Sequence, residues 1–302
     1  MSRIRTYAQL VRLPNLPSAL ADVCLGALAA GALPQRWLPF LLLALASACL
    51  YCGGMVWNDF FDVEQDKRER PDRPIPSGRV SRGEAGRLGA VLLVAGLLFA
   101  LLAGIAQAAT FNFLPPVLAG CIAVAIFLYD GWLKRTPFGP VSMGLCRFLN
   151  VLMAVSISGS LLWPKGAHLA FVVGLYIVGV TWFARTEARA SNQWSLGGAF
   201  GVMLFALALA VPLALYVDKG ESSPLFLYLL VALGVAVGIP VCRAIALPTP
   251  SRVQAGVKRA IMALVLFDAT LATALAGTVG LMILLLMAPT LYLNRRKWLY
   301  AT

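Results

Sequence analysis

The chain has 302 residues, 60% of them hydrophobic and only 13% charged, with mean hydropathy +0.82. Soluble domains carry roughly 45–50% apolar and about 25% charged residues, so one water-surrounded core cannot hold this much apolar surface. The 25 Lys and Arg against 13 Asp and Glu give a formal charge of +12, and a membrane protein with that balance must place its charges unevenly.

His168 is the only histidine, which argues against a histidine metal centre or a Ser-His-Asp triad. The six cysteines lie within or at the ends of apolar runs and read as small membrane-helix residues, not a disulfide framework. Residues 1–13 are charged and amphipathic and read as an interfacial anchor with Ile4, Tyr7 and Leu10 on its apolar side. No small-residue cleavage site follows the first apolar run, so a cleaved signal peptide is not expected.

About 20 apolar residues cross a bilayer as a helix. Such runs fall at 15–33, 38–60, 84–107, 112–130, 139–162, 167–187, 195–217 and 224–246. A longer stretch, 253–293, has a weak break at Ala276-Gly277, which leaves nine or ten crossings. The expected fold is an all-α polytopic membrane helix bundle forming one domain over 1–302. With ten crossings, every basic residue except Arg36, Lys165 and Lys219 falls on one face. With nine, Arg295, Arg296 and Lys297 also leave it. The positive-inside rule makes this face cytoplasmic, together with the N-terminus, in a bacterial or archaeal cell membrane.

Asn15 and Asp22 lie a turn or two apart on the first span, facing either a cavity or a neighbouring helix. The next feature concerns acids, which are scarce: six of the thirteen lie between Asp59 and Asp72. Asn58, Asp62 and Asp66 repeat at i, i+4 and i+8, which stacks them on one helical face, and Asp59 neighbours Asp62 at i+3. Unpaired carboxylates at a membrane helix end repel one another and resist desolvation. A hard cation would offset that cost, and Mg²⁺ takes one or two carboxylates, waters and phosphate oxygens. The spacing therefore suggests a metal–diphosphate site. Glu64, Glu69 and Asp72 read as solvated. Pro71, Pro74, Pro76 and Gly78 stiffen the following loop, where Arg73 could present a fixed cation to a phosphate.

The run N-D-F-F-D-V-E-Q-D followed by R-P-D-R-P-I-P-S-G-R resembles the first signature, N-D-x-x-D-x-x-x-D, of the UbiA superfamily of intramembrane prenyltransferases. Its continuation is most similar to the archaeal digeranylgeranylglyceryl phosphate synthases and the EboC-like branch. The resemblance extends to helix count, loop placement and chain length. It implies transfer of a prenyl group from a polyprenyl diphosphate to a small-molecule or lipid acceptor, within membrane lipid and with no nucleic-acid partner. It also implies Mg²⁺ on Asn58, Asp62 and Asp66 with Asp59 supporting, and Asp62 and Asp66 as catalytic carboxylates.

Tyr129 and Lys134, in Tyr129-Asp130-Gly131-Trp132-Leu133-Lys134, are similar to the family's Y-x4-K element. A lysine there can neutralise a diphosphate leaving group, and a tyrosine ring can face an allyl cation; an interfacial belt would show the same residues. Arg147 and Asn150 stand inside the next span. An intramembrane arginine needs a partner, for which a diphosphate, Asp130 or Asp22 would serve. The family's second acidic motif is expected near 185–195, where this chain has Glu187 but Ser191 in place of an aspartate. Glu187 is then the one acidic metal ligand opposite the first motif, and Arg189, with Arg185, could take over phosphate charge. That departure leaves a second reading open, a non-catalytic prenyl-lipid binding or transport protein. Asp268 lies deep in the last apolar stretch, two or more turns from Lys258 and Arg259, and an intramembrane acid is functional by default.

Overall fold

The computed structural model describes residues 3–107, 110–185, 192–218 and 223–294. Helix α1 is Arg3–Leu10, followed by a 3-10 turn and then α2, Leu16–Ala29. Helix α3 is Trp37–Phe61, α4 is Val63–Glu69, α5 is Arg82–Ile105 and α6 is Leu114–Gly131. Helix α7 is Gly139–Val155, α8 is Lys165–Ala184, α9 is Gln193–Ala210 and α10 is Leu225–Ala246. Helices α11, Pro250–Met262, and α12, Leu264–Ala276, lead into a 3-10 stretch over Gly277–Leu286 and a final helix α13, Met287–Asn294. Among the described residues there is no strand.

Eight helical stretches are long and apolar enough to cross a membrane, and the shorter Leu13–Ala29 is also apolar. The last of the eight, Pro250–Leu293, does not continue in one direction. Gly277 has φ 62, and the position of a β carbon on Gly280 lies 2.5 Å from backbone atoms of Ala272 and Thr273. The chain therefore turns back and packs on α12, with α13 returning beside Leu13–Asn15.

Large apolar side chains such as Leu98, Val124, Phe205 and Val231 point outward, while small residues fill the interfaces. That inversion suits a bundle whose solvent is hydrocarbon. Where α7 meets α8, a β carbon on Gly144 would come within 2.6 Å of the Gly174 carbonyl oxygen. Where α2 meets α7, one on Gly26 would come within 2.5 Å of the Ala154 β carbon. Exposed tryptophans mark both ends, Trp132 and Trp194 at one and Trp37 and Trp163 at the other, as interfacial aromatics do.

The N-terminal segment is more than an anchor. Leu10 is enclosed with Val56, Val63, Ile75, Val80 and Ala85 in a small core separate from the main one, and Arg79 Nη1 donates to Gln9 at 2.7 Å. Ile4, expected on the apolar side, stands exposed. This small core clamps α1 and the 70–80 loop against the end of α3.

Candidate functional site

The helix breaks at Asp62, which caps α3 and opens α4, yet the i to i+4 bonding runs on. Asp62 N donates to the Asn58 carbonyl at 3.1 Å and Asp66 N to the Asp62 carbonyl at 2.8 Å. Asn58, Asp62 and Asp66 consequently stay on one face, and all three line a cavity of about 660 Å³. That volume lies within the range of small-molecule sites. The walls come from α2, α3, α6, α7, α8 and the α11–α12 limb.

Asp59, Asp62 and Asp66 each have a basic partner. Lys134 Nζ pairs with Asp62 Oδ2. Arg73 Nη1 donates to Asp66 at 2.7 Å and to Asp59 at 3.2 Å. Arg12 Nη2 donates to Asp59 and to the Asn58 amide oxygen, both at 2.9 Å. Asn58 Nδ2 in turn donates to Asp130 at 2.8 Å. Burial pushes the Asp66 carboxyl above the usual carboxylate range, although Arg73 pulls the other way. Burial, then the neighbouring Arg12, lowers Arg73 from its ordinary value. For Arg12, burial works against the charge, but Asp59, Tyr51 and Asp130 together outweigh it and the guanidinium ends above its ordinary value.

The structure sorts the expected residues. Asn15, Arg73, Tyr129, Lys134, Arg147 and Asn150 all line the cavity with Asn58, Asp62 and Asp66. Asp59 does not: one residue from Asn58 is about 100° round the helix, and its carboxylate pairs with Arg12 and Arg73, which do line the cavity. Tyr129 is half-buried, its ring centroid 6.0 Å from Lys134 Nζ. Glu187 and Arg189, like Ser191, lie outside the described residues. Glu64 pairs with Lys67 at 2.8 Å on the surface and Gln65 donates to Glu69 at 3.0 Å, as solvated side chains do.

Arg147 finds its partner in Asp22, at 2.7 Å, and not in Asp130. Asp268 is fully buried, and among the described residues neither of its carboxylate oxygens has a hydrogen-bond partner.

Arg12 was not anticipated. It adopts a left-handed backbone (φ 48, ψ 50) that turns the chain between α1 and α2, and it reaches across 46 residues to Asn58. No local pattern marks such a contact. Tyr51 was legible, since Ser47, Leu50, Tyr51, Gly54, Met55, Asn58 and Asp62 all line the cavity at three- and four-residue steps. The face seen in the acids extends three turns back along α3.

Among the described residues no three acidic, histidine or cysteine side chains converge as a ready-made metal cage. Asp62 Oδ1, however, is buried without a partner, and Asp66 Oδ1 has none of the contacts that engage Oδ2. Two oxygens on one cavity wall fit a cation that takes its remaining ligands from water and phosphate.

The sequence model of the UbiA prenyltransferase family matches residues 19–257. The chain belongs to this family. Two curated relatives are digeranylgeranylglyceryl phosphate synthases. That of Ignicoccus hospitalis is 36% identical over 44% of this chain and 41% of its own length. That of Methanospirillum hungatei is 30% identical over 70% of each chain. With the Ignicoccus and Saccharolobus solfataricus proteins the chain shares only 41% and 45% of their lengths. Among solved structures, one concerning digeranylgeranylglyceryl phosphate synthase in membranes superposes with TM-score 0.64 at 22% identity, covering 91% of this chain and 99% of that one. A UbiA homologue from Archaeoglobus fulgidus, bound to GPP and Mg²⁺, gives 0.62 at 13% identity over 84% of this chain and 98% of that one. At such identities these two establish the fold: this UbiA family member is an integral, multi-pass, all-α membrane protein.

Proposed function

We propose that the protein transfers a prenyl group from a prenyl diphosphate to an acceptor, with Mg²⁺ assisting loss of diphosphate. The observation that carries this reading is the cavity itself. Its mouth alternates acids and cations, and its depth is walled by apolar side chains such as Leu50, Ile122, Ile126, Ile177 and Leu264. A prenyl diphosphate has the same two halves. The family, and a family homologue holding GPP and Mg²⁺, support it.

The roles follow from position. Asp62 and Asp66 would hold Mg²⁺, with Asn58 beside them and Asp59 fixing Arg12 and Arg73 at the mouth. Bound there, the metal would withdraw charge from the leaving diphosphate. Lys134 and Arg73 would exchange carboxylate partners for phosphate oxygens as the donor enters, and so neutralise charge that grows as the C–O bond breaks. The Tyr129 ring would face the allylic cation, and the apolar walls would exclude the water that competes with the acceptor. The basic residues Arg12, Arg73, Lys134, Arg135 and Arg185 gather at this mouth, which on the positive-inside rule is cytoplasmic.

The test is diphosphate release by purified protein in lipid, given Mg²⁺ and a panel of prenyl diphosphates. Release that depends on Mg²⁺ and disappears in Asp62→Ala, with the bundle intact, is expected. Prenyl-lipid binding without release from any donor would replace this reading with a non-catalytic carrier.

A further inference from the structure

The cavity has a second polar end. Arg147 lies two turns beyond the start of α7 at Gly139, about 12 Å further along the helix, and lines the cavity with Asn15, Ser18 and Asn150. Its donors are unevenly used. Nη1 gives its two hydrogens to the Ser18 carbonyl at 3.0 Å and to Asp22 at 2.7 Å, and Nη2 gives one to the Ser18 hydroxyl at 2.6 Å. Nε–H and the second Nη2 hydrogen have no acceptor among the described residues. These two share one edge of the guanidinium, the edge that grips a two-oxygen anion.

The mounting of this arginine is rigid. Asp22 also accepts from Asn150 Nδ2 at 2.8 Å, and the same amide reaches the Ala19 carbonyl at 3.1 Å. Behind Asp22 stands Asp268. Among the described residues no N–H or O–H reaches either Asp268 oxygen, and Asp22 Oδ1 is likewise without a partner. Asp22 pairs with Arg147 and fixes it from the side away from the cavity. A guanidinium held on three sides with one fork open is preorganised for a ligand.

We propose that Arg147, positioned by Asp22 and Ser18, anchors the acceptor through an oxyanion group, a carboxylate or a phosphate, on its Nε–Nη2 edge. This rests on the prenyl-transfer reading. The donor diphosphate already meets Lys134 and Arg73 at the mouth, and a prenyl chain has nothing to offer a cation. The acceptor is the remaining substrate with a polar group to place in the depth.

Thermal-shift titration of the protein in lipid nanodiscs tests this without turnover. The probes are 4-hydroxybenzoate and glycerol 1-phosphate, each against its neutral counterpart, 4-hydroxybenzyl alcohol and glycerol, with geranyl diphosphate as the donor control. At least one anionic probe binds about tenfold or more tightly than its counterpart. Arg147→Lys, which keeps the charge and loses the fork, removes about tenfold of that affinity and leaves geranyl diphosphate binding unchanged. Equal binding of charged and neutral probes to the unaltered protein overturns the proposal, as does an Arg147→Lys variant that loses geranyl diphosphate just as strongly. Oxyanion binding at Arg147 in a protein that never releases diphosphate leaves the anion site standing and removes the prenyl-transfer reading instead.

Discussion

Asp59 and Asp62 are three residues apart in one motif, yet they face different surroundings, and substituting each alone separates framework from chemistry. Asp59 is 3% exposed and accepts from both Arg12 and Arg73. Asp59→Ala strips an acceptor from two guanidiniums. Each charge-assisted bond contributes about 1.5–3 kcal/mol. Arg12 is a third exposed and keeps Asn58, and Arg73 keeps Asp66, so the combined loss is about 2–4 kcal/mol, below the simple sum. Asp62 has a single partner, Lys134, whose side chain is 20% exposed, and its other oxygen is unpartnered. Removing it frees a lysine that reaches water and deletes an unsatisfied buried oxygen, at about 1 kcal/mol or less. Unfolding by denaturing detergent, followed by helix content, reads stability; diphosphate release per folded molecule reads chemistry. Asp59→Ala should unfold early and retain measurable turnover, whereas Asp62→Ala should unfold like the unaltered protein and release nothing. An Asp59→Ala variant of full stability and no turnover would refute the division.

Three further outcomes are expected. Gly144→Ala places a β carbon 2.5 Å from Val178 Cγ2 and 2.6 Å from the Gly174 carbonyl oxygen, so α7 and α8 must separate, at about 1–3 kcal/mol in the same unfolding assay. Lys134→Ala should raise the donor concentration needed for half-maximal diphosphate release by roughly tenfold or more, with Lys134→Arg recovering part of it; equal rates across the series would remove Lys134 from the site. Chelation of divalent metal should stop release and leave helix content unchanged, because Arg73 and Lys134 neutralise Asp66 and Asp62 on their own; loss of helix on chelation would make the metal structural.

Local periodicity determined much of this protein. Runs of about 20 apolar residues decided the spans. Basic residues chose one face, and a four-residue repeat put Asn58, Asp62 and Asp66 on one wall, because a helix preserves angular spacing whatever surrounds it. That repeat survived even the break between α3 and α4. The same angular logic would also have turned Asp59 off the wall and carried the cavity face back to Tyr51. Relations between distant segments depended on packing. Arg12 reaches Asn58 and Asp59 because a small core around Leu10 and Val56 docks α1. Asp22, Arg147 and Asp268 come together because α2, α7 and α12 meet where glycine and alanine let backbones approach. Such contacts leave no mark on neighbouring sequence, since the partner of a buried charge is supplied by whichever helix the packing brings alongside. The charge of +12 was visible in the composition. That part of it sits locked onto acids around one cavity, with one guanidinium edge left open inside, was decided by the tertiary structure.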